Sequence, residues 1–314
     1  MNYPCVAARL AITINYIKYT KTILFLYLTN RYSCANIPGQ MSDNMQLINK
    51  NGSIERTFEN MWQDYLALNP EALKIYQLFS ETDKVVNDHV AFRTFGIDGI
   101  RVEEIAQPLL DAGYHEVQEY HFVKKKLRAK HYAHPHMPLV FISELIVEEF
   151  SLEVQTLIKQ LISQLDFTNV REPSFLYSGR CWQLSSEVYN RLRNESEYAA
   201  WVAAFGYRPN HFTVSINQLK TFDTISDVNQ LLKDKGFKLN TSGGEIKGNQ
   251  ADYLEQSSTL ANSVTVSFSD TKLTIPSCFY EFALRHPLAN GELFNGFVTS
   301  SADKIFESTD SKAA

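Results

Sequence analysis

Two segments of this chain open with the same histidine-led pattern, which constrains the fold to a duplicated unit. The first reads Asn87-Asp88-His89-Val90-Ala91-Phe92-Arg93-Thr94-Phe95, and the second Pro209-Asn210-His211-Phe212-Thr213-Val214-Ser215-Ile216. Each histidine starts a β-branched and aromatic run that predicts a strand. Each run leads into helical sequence that ends in a glycine and an aromatic, Gly113-Tyr114 in the first copy and Gly236-Phe237 in the second. His89 and Gly113 lie 24 residues apart, and His211 and Gly236 lie 25 apart. A strand–helix unit recurring with its histidine in place predicts two modules whose imidazoles face one cavity. That arrangement points to a metal.

The sequence between the copies reads as α+β. Phe58, Met61, Trp62, Tyr65 and Leu66 predict an amphipathic helix over 54–66, and a second helix covers 70–80. After His89 come a helix at about 100–112, strands across 116–134 and a buried strand at 139–143. Helices over 147–165 and 185–205 link the modules, set at about 85–146 and 207–286, and a strand from about Thr274 to Arg285 closes the second. The first forty residues differ: they are basic, with no acid before Asp43, and their longest apolar run is too short for the ~20 residues of a membrane span. They read as an extension upstream of Met41, with an organelle transit peptide as the alternative. A catalytic body over 41–314 is the expectation. Net charge is −5, which leaves no basic field for nucleic acid, and no membrane contact is expected. Four cysteines without a CxxC pair suit a reduced, cytoplasmic protein.

Glu281 supplies the third donor. It sits in Cys278-Phe279-Tyr280-Glu281-Phe282-Ala283, where an ionised carboxylate is costly to bury unless a cation compensates it. Two imidazoles and one carboxylate leave cis positions open, as in non-haem Fe(II) oxygenases. For each residue taken singly the blander reading is a hydrogen-bonded histidine, or Glu281 paired with Arg285; the repeat favours the metal. His131, His134 and His136 lie near two prolines and read as a solvated loop or strand end. Cys181 and Cys278 read as packing residues.

These residues carry a resemblance. The stretches Asn87–Phe95, Arg208–Thr213, Ser242-Gly243-Gly244-Glu245-Ile246-Lys247-Gly248 and Phe279–Phe282 resemble the Fe(II)-dependent 2-oxoadipate dioxygenase/decarboxylase family of the vicinal-oxygen-chelate superfamily, from about Phe58 to Asp310. The resemblance implies tandem βαβββ modules around one metal held by His89, His211 and Glu281. It implies substrate contacts from Arg93 and from the segment Thr299-Ser300-Ser301 ahead of Ile305-Phe306, with Ser300 as the candidate. The implied partners are a 2-oxo acid and O₂, and the implied cofactor is Fe(II). The implied reaction takes 2-oxoadipate to 2-hydroxyglutarate and CO₂. Residue chemistry agrees: a remote carboxylate needs a fixed cation, and a guanidinium offers a planar bidentate match. Four residues along a strand, Arg93 shares a face with His89. The ligand set alone leaves open an isomerase or lyase using Ni(II), Co(II) or Mn(II); a second alternative, a small-molecule-binding protein on the same fold without catalysis, would be favoured by loss of one of the three donors, and all three are present.

Overall fold

Apolar side chains at helical spacing fold the residues ahead of the first repeat into α1 (Asp43–Leu68) and α2 (Pro70–Ser80). Asn69 divides them: its side chain accepts from the Ala72 N–H, and Pro70 sits at the first helical position, where its missing N–H costs nothing. The computed structural model describes residues 43–309; the expectations for residues 1–40 lie outside the described residues.

The first module then runs β1 (Asn87–Phe95), α3 (Val102–Asp111), β2 (His115–Phe122), β3 (Leu127–His134) and β4 (Met137–Leu145). Three helices follow: α4 (Leu152–Ile162), α5 (Ser186–Glu195) and α6 (Glu197–Phe205). The second module runs β5 (Pro209–Ser215), α7 (Ile225–Asp234), β6 (Lys247–Asn249), β7 (Leu254–Ser258) and, after a hairpin of β8 (Ser263–Ser267) and β9 (Lys272–Pro276), β10 (Phe279–Arg285). A short α8 (Thr299–Ile305) ends the order.

Eight strands form one sheet in the order β2-β3-β4-β1-β5-β10-β7-β6. Each module pairs its first strand in parallel with its last, β1 with β4 and β5 with β10, and the modules join where β1 meets β5 antiparallel. This is the tandem βαβββ arrangement, with the β8–β9 hairpin inserted in the second copy only.

Two elements depart from the sequence reading. The strand expected from Thr274 to Arg285 is two strands in different sheets. Pro276 has no N–H to extend a ladder, and the Ser277 hydroxyl donates to the carbonyls of Leu68 at 2.7 Å and Asn262 at 2.9 Å, turning the chain between them. The helix expected over 185–205 breaks at Ser196, which ends α5 and whose side chain caps α6 by accepting from the Ala199 N–H.

Alternation along β5 and β10 separates two environments. Phe212, Tyr280 and Phe282 pack against Trp62, Tyr65 and Phe79 of α1 and α2, so those helical aromatics are core. His211 and Glu281 occupy the opposite face.

Candidate metal centre

The donor atoms of His89, His211 and Glu281 lie within 4.8 Å of one another, and all three residues are buried. Register explains both the convergence and the count. Across β1–β5, His89 faces Thr213 and Ala91 faces His211, so a local twofold exchanges the two histidines. Thr213 in turn pairs with Glu281 on β10, and Ala91 with Phe141 on β4. Phe141 therefore occupies in the first module the place Glu281 holds in the second. The duplication builds four inward positions, and three of them carry donors.

The residue before each histidine fixes its ring. The Asp88 carboxylate takes the His89 Nδ1–H at 2.7 Å, and the Asn210 side-chain oxygen takes the His211 Nδ1–H at 3.0 Å. Both Nε2 atoms then keep their lone pairs toward the centre. Asp88 is bound in turn by Arg285, at 2.7 Å from Nε and 2.9 Å from Nη2. Burial alone would raise the Asp88 pKa, but Arg285 and the His89 hydrogen bond hold its carboxyl well below the usual range. Arg285 thus serves Asp88 rather than Glu281.

Glu281 Oε1 accepts from the Gln256 amide at 2.5 Å, while Oε2 has no hydrogen-bond partner. That oxygen lies 3.2 Å from His211 Nε2, and Oε1 lies 3.5 Å from His89 Nε2. Acceptors facing one another in a buried site repel unless a cation or proton lies between them. Burial raises the Glu281 pKa and pushes that of His211 well below its ordinary value. A divalent cation satisfies the orphaned oxygen and the His211 lone pair, and takes the His89 lone pair from the Thr213 hydroxyl 3.1 Å away, so the donor set fits a metal. The cavity over the donors measures about 20 Å³ and is closed by Phe141, Phe297, Ala302, Ile305 and Phe306.

Arg93 is buried between the rings of Tyr198, Trp201 and Phe306, with its guanidinium carbon 5.0, 5.2 and 5.7 Å from their centroids. Nη2 donates to the Thr309 hydroxyl at 3.1 Å; Nε and Nη1 have no hydrogen-bond partner, although Nη1 lies 3.9 Å from the Glu197 carboxylate in a looser ion pair. It lines a second cavity, adjoining the first. Ser300 is exposed on the first turn of α8; from the same helix Ala302 and Ile305 reach the donors' cavity instead. His131 is not in a solvated loop. It is fully buried in β3, where Nδ1 and the Tyr120 hydroxyl share a hydrogen bond of 2.9 Å and the ring lies 5.3 Å from Phe297. Cys278 is buried and Cys181 half-buried, neither near a histidine in a catalytic arrangement.

The profile of the 2-oxoadipate dioxygenase/decarboxylase family matches residues 50–174 and 174–294. The chain belongs to this family. It is 37% identical to the chloroplastic 2-oxoadipate dioxygenase/decarboxylase of Arabidopsis thaliana, over 78% of this chain and 74% of the plant protein. Among solved structures, the hydroxyglutarate synthase of Oryza sativa in complex with 2-oxoadipate superposes with a TM-score of 0.80 at 33% identity, covering 90% of this chain and 99% of that one. A Shewanella frigidimarina protein described as a hydrolase superposes with a TM-score of 0.76 at 52% identity, covering 78% and 98%.

Four supports of this family member's site, Asp88, Asn210, Gln256 and Phe297, are not assigned by sequence reasoning. The acidic or amide residue ahead of both histidines was a readable signal, since Asp88-His89 and Asn210-His211 recur together. Gln256 had none, because its reach to Glu281 depends on how β7 registers against β10. Phe297 lies in a loop pinned by Arg285 Nη1, which donates to the carbonyls of Phe294 and Gly296 at 2.9 and 2.8 Å.

Proposed function

We propose that the protein is a non-haem Fe(II) oxygenase that converts 2-oxoadipate and O₂ to 2-hydroxyglutarate and CO₂. The observation that carries the reading is the buried set of His89, His211 and Glu281 with one carboxylate oxygen unpaired, in a chain of this family. Fe(II) held there would supply chelation of the acid's carboxylate and keto oxygens and a reductant for O₂.

The rest of the chemistry falls to the protein. Asp88 and Asn210 hold both imidazoles in the tautomer that presents Nε2, and Gln256 orients the Glu281 carboxylate. Phe141 contributes a hydrocarbon face where its counterpart is a carboxylate, so three donors leave positions for two substrate oxygens and O₂. Phe141 and Phe297 exclude water from the reacting carbon. Arg93 offers Nε, and Nη1 once it leaves the Glu197 carboxylate 3.9 Å away, to the distal carboxylate, and that pairing selects dicarboxylic acids. The relative from Arabidopsis thaliana is chloroplastic, and among the described residues no helix is long and apolar enough to cross a membrane.

The test is anaerobic loading with Fe(II), Mn(II), Co(II) or Ni(II), followed by O₂ uptake with a panel of 2-oxo acids. O₂ consumption matched one to one by CO₂ and 2-hydroxyglutarate, with Fe(II) alone, is expected. Turnover of the acids without O₂ would instead establish an isomerase or lyase. His89→Ala, His211→Ala and Glu281→Ala should each stay folded by circular dichroism and lose most bound metal; full occupancy without Glu281 would overturn the ligand assignment.

A further inference from the structure

The two cavities of the centre share one side chain. The space over the three donors, about 20 Å³, holds an ion or a water, since one water needs about 10–15 Å³, and it is far too small for a six-carbon acid. The adjoining cavity is about 370 Å³, within the roughly 300–1,000 Å³ of ligand pockets. Arg93, Lys124, Lys125, Lys126 and Arg193 line it, five cations against the three carboxylates of Glu195, Glu197 and Glu307. That surplus suits a dianion. Among the described residues only Phe306 lines both spaces.

Phe306 follows α8 and starts the turn Phe306–Thr309. Its ring stands edge-on to Phe122 at 5.3 Å and lies beneath the Arg93 guanidinium. The backbone around it is tied down: Asn240 donates to the Lys304 carbonyl at 3.2 Å and to the Ser308 hydroxyl at 2.8 Å. The main chain is thereby held, while the ring can leave its place by rotating about its own side-chain bonds, at modest cost. A molecule bound at the three donors and at Arg93 together must pass through the position this ring fills.

We infer that Phe306 is a partition that a 2-oxo dicarboxylate displaces in order to span both cavities, and that the size of residue 306 sets the chain length accepted. The inference rests on the oxygenase reading above. One methylene more or less in an apolar slot changes discrimination by about 10–200-fold. Phe306→Ala should therefore move preference from the six-carbon toward the seven-carbon acid, and Phe306→Trp toward the five-carbon acid, each changing the ratio of affinities about tenfold. Phe306→Leu should fall between wild type and Phe306→Ala.

Calorimetry on Mn(II)-loaded protein without O₂ reads those affinities apart from turnover, with metal content and melting temperature showing that each variant is folded. kcat/KM for the same three acids with Fe(II) gives the second readout. If wild type binds the six-carbon acid and all variants keep its order of preference, the inference falls and the oxygenase reading stands. If wild type binds none of the three acids, both fall together.

Discussion

At the scale of single residues, the proposed function separates groups that would hold metal from groups that would hold substrate. Arg93 has no lone pair for ligation, so Arg93→Ala should retain full metal content. It should lose the charge-assisted contact to a distal carboxylate, worth about 1.5–3 kcal/mol, which corresponds to roughly ten- to a hundredfold in kcat/KM. Monocarboxylic 2-oxo acids should suffer much less. Equal losses for both substrate classes would mean that Arg93 supports the fold through its three aromatic neighbours instead. His131 gives a pH dependence. The Phe297 N–H donates to the Tyr120 oxygen at 3.1 Å, and the Tyr120 hydroxyl shares a hydrogen bond with His131 Nδ1 in a buried setting that favours the neutral imidazole. Burial, with repulsion from Arg285 and His89, pushes the His131 pKa down to about 4. An unfolded histidine takes up its proton near pH 6.5, so between those values the unfolded chain binds more protons and stability falls as pH drops. The loss should reach roughly 2–3 kcal/mol by pH 4. Urea titrations across pH 4–7 should show a flatter slope for His131→Gln than for wild type; parallel slopes would assign the acid lability to other groups.

At the scale of elements, the join between α6 and β5 delivers His211. Gly206 ends α6 at φ +67, and a Cβ there would stand 2.2 Å from the Gly179 carbonyl oxygen. The same two strands of backbone are held by the pair Gly179 N–H to Tyr207 O at 2.9 Å and Tyr207 N–H to Gly179 O at 3.0 Å. Gly206→Ala should cost about 1–3 kcal/mol for the backbone conformation alone and more for the clash, seen as a lower melting temperature with reduced metal affinity. An unchanged melting temperature would mean that the bridge yields without cost. This join also marks the limit of what the sequence revealed. Alternation and spacing reveal β1, β5, both module helices and the paired positions of His89 and His211, because a period-two or helical pattern is local and the two copies reinforce each other, whereas Glu281, whose counterpart is Phe141, shows only as a lone acid in an apolar strand. The β8–β9 hairpin and the break at Pro276–Cys278 were missed, since the chain turns there on bonds from Ser277 to Leu68 and Asn262, which are distant in sequence. The prolines near His131, His134 and His136 suggest a solvated loop or strand end, which fits His134 at the end of β3 and the exposed His136 but not His131, because β2 and β4 pair on both sides of it. Ser300 is exposed while Ala302 and Ile305 of the same helix line the donors' cavity, so a short segment match does not fix which side chains face inward.

At the scale of the whole molecule, neither module owns the centre. His89 comes from the first, while His211 and Glu281 come from the second, and the β1–β5 pairing that brings them together is also the seam that makes two four-stranded halves one sheet. Metal binding therefore reports on the seam as well as on the ligands. A cation that binds only the folded chain stabilises it by about 2.7 kcal/mol at a free concentration one hundred times Kd. For a protein of this size each kcal/mol moves the melting temperature by about 2–4 °C, so saturation should raise it by roughly 5–10 °C. Because both halves share one sheet, the whole body should unfold in a single transition that moves with metal. In Glu281→Ala the transition should remain single and stop responding to metal, since the orphaned oxygen that called for a cation is gone. Differential scanning calorimetry of metal-free and loaded protein decides this. Two transitions, with only the later one shifting, would show that the modules melt separately and that the seam is weaker than its central pairing implies.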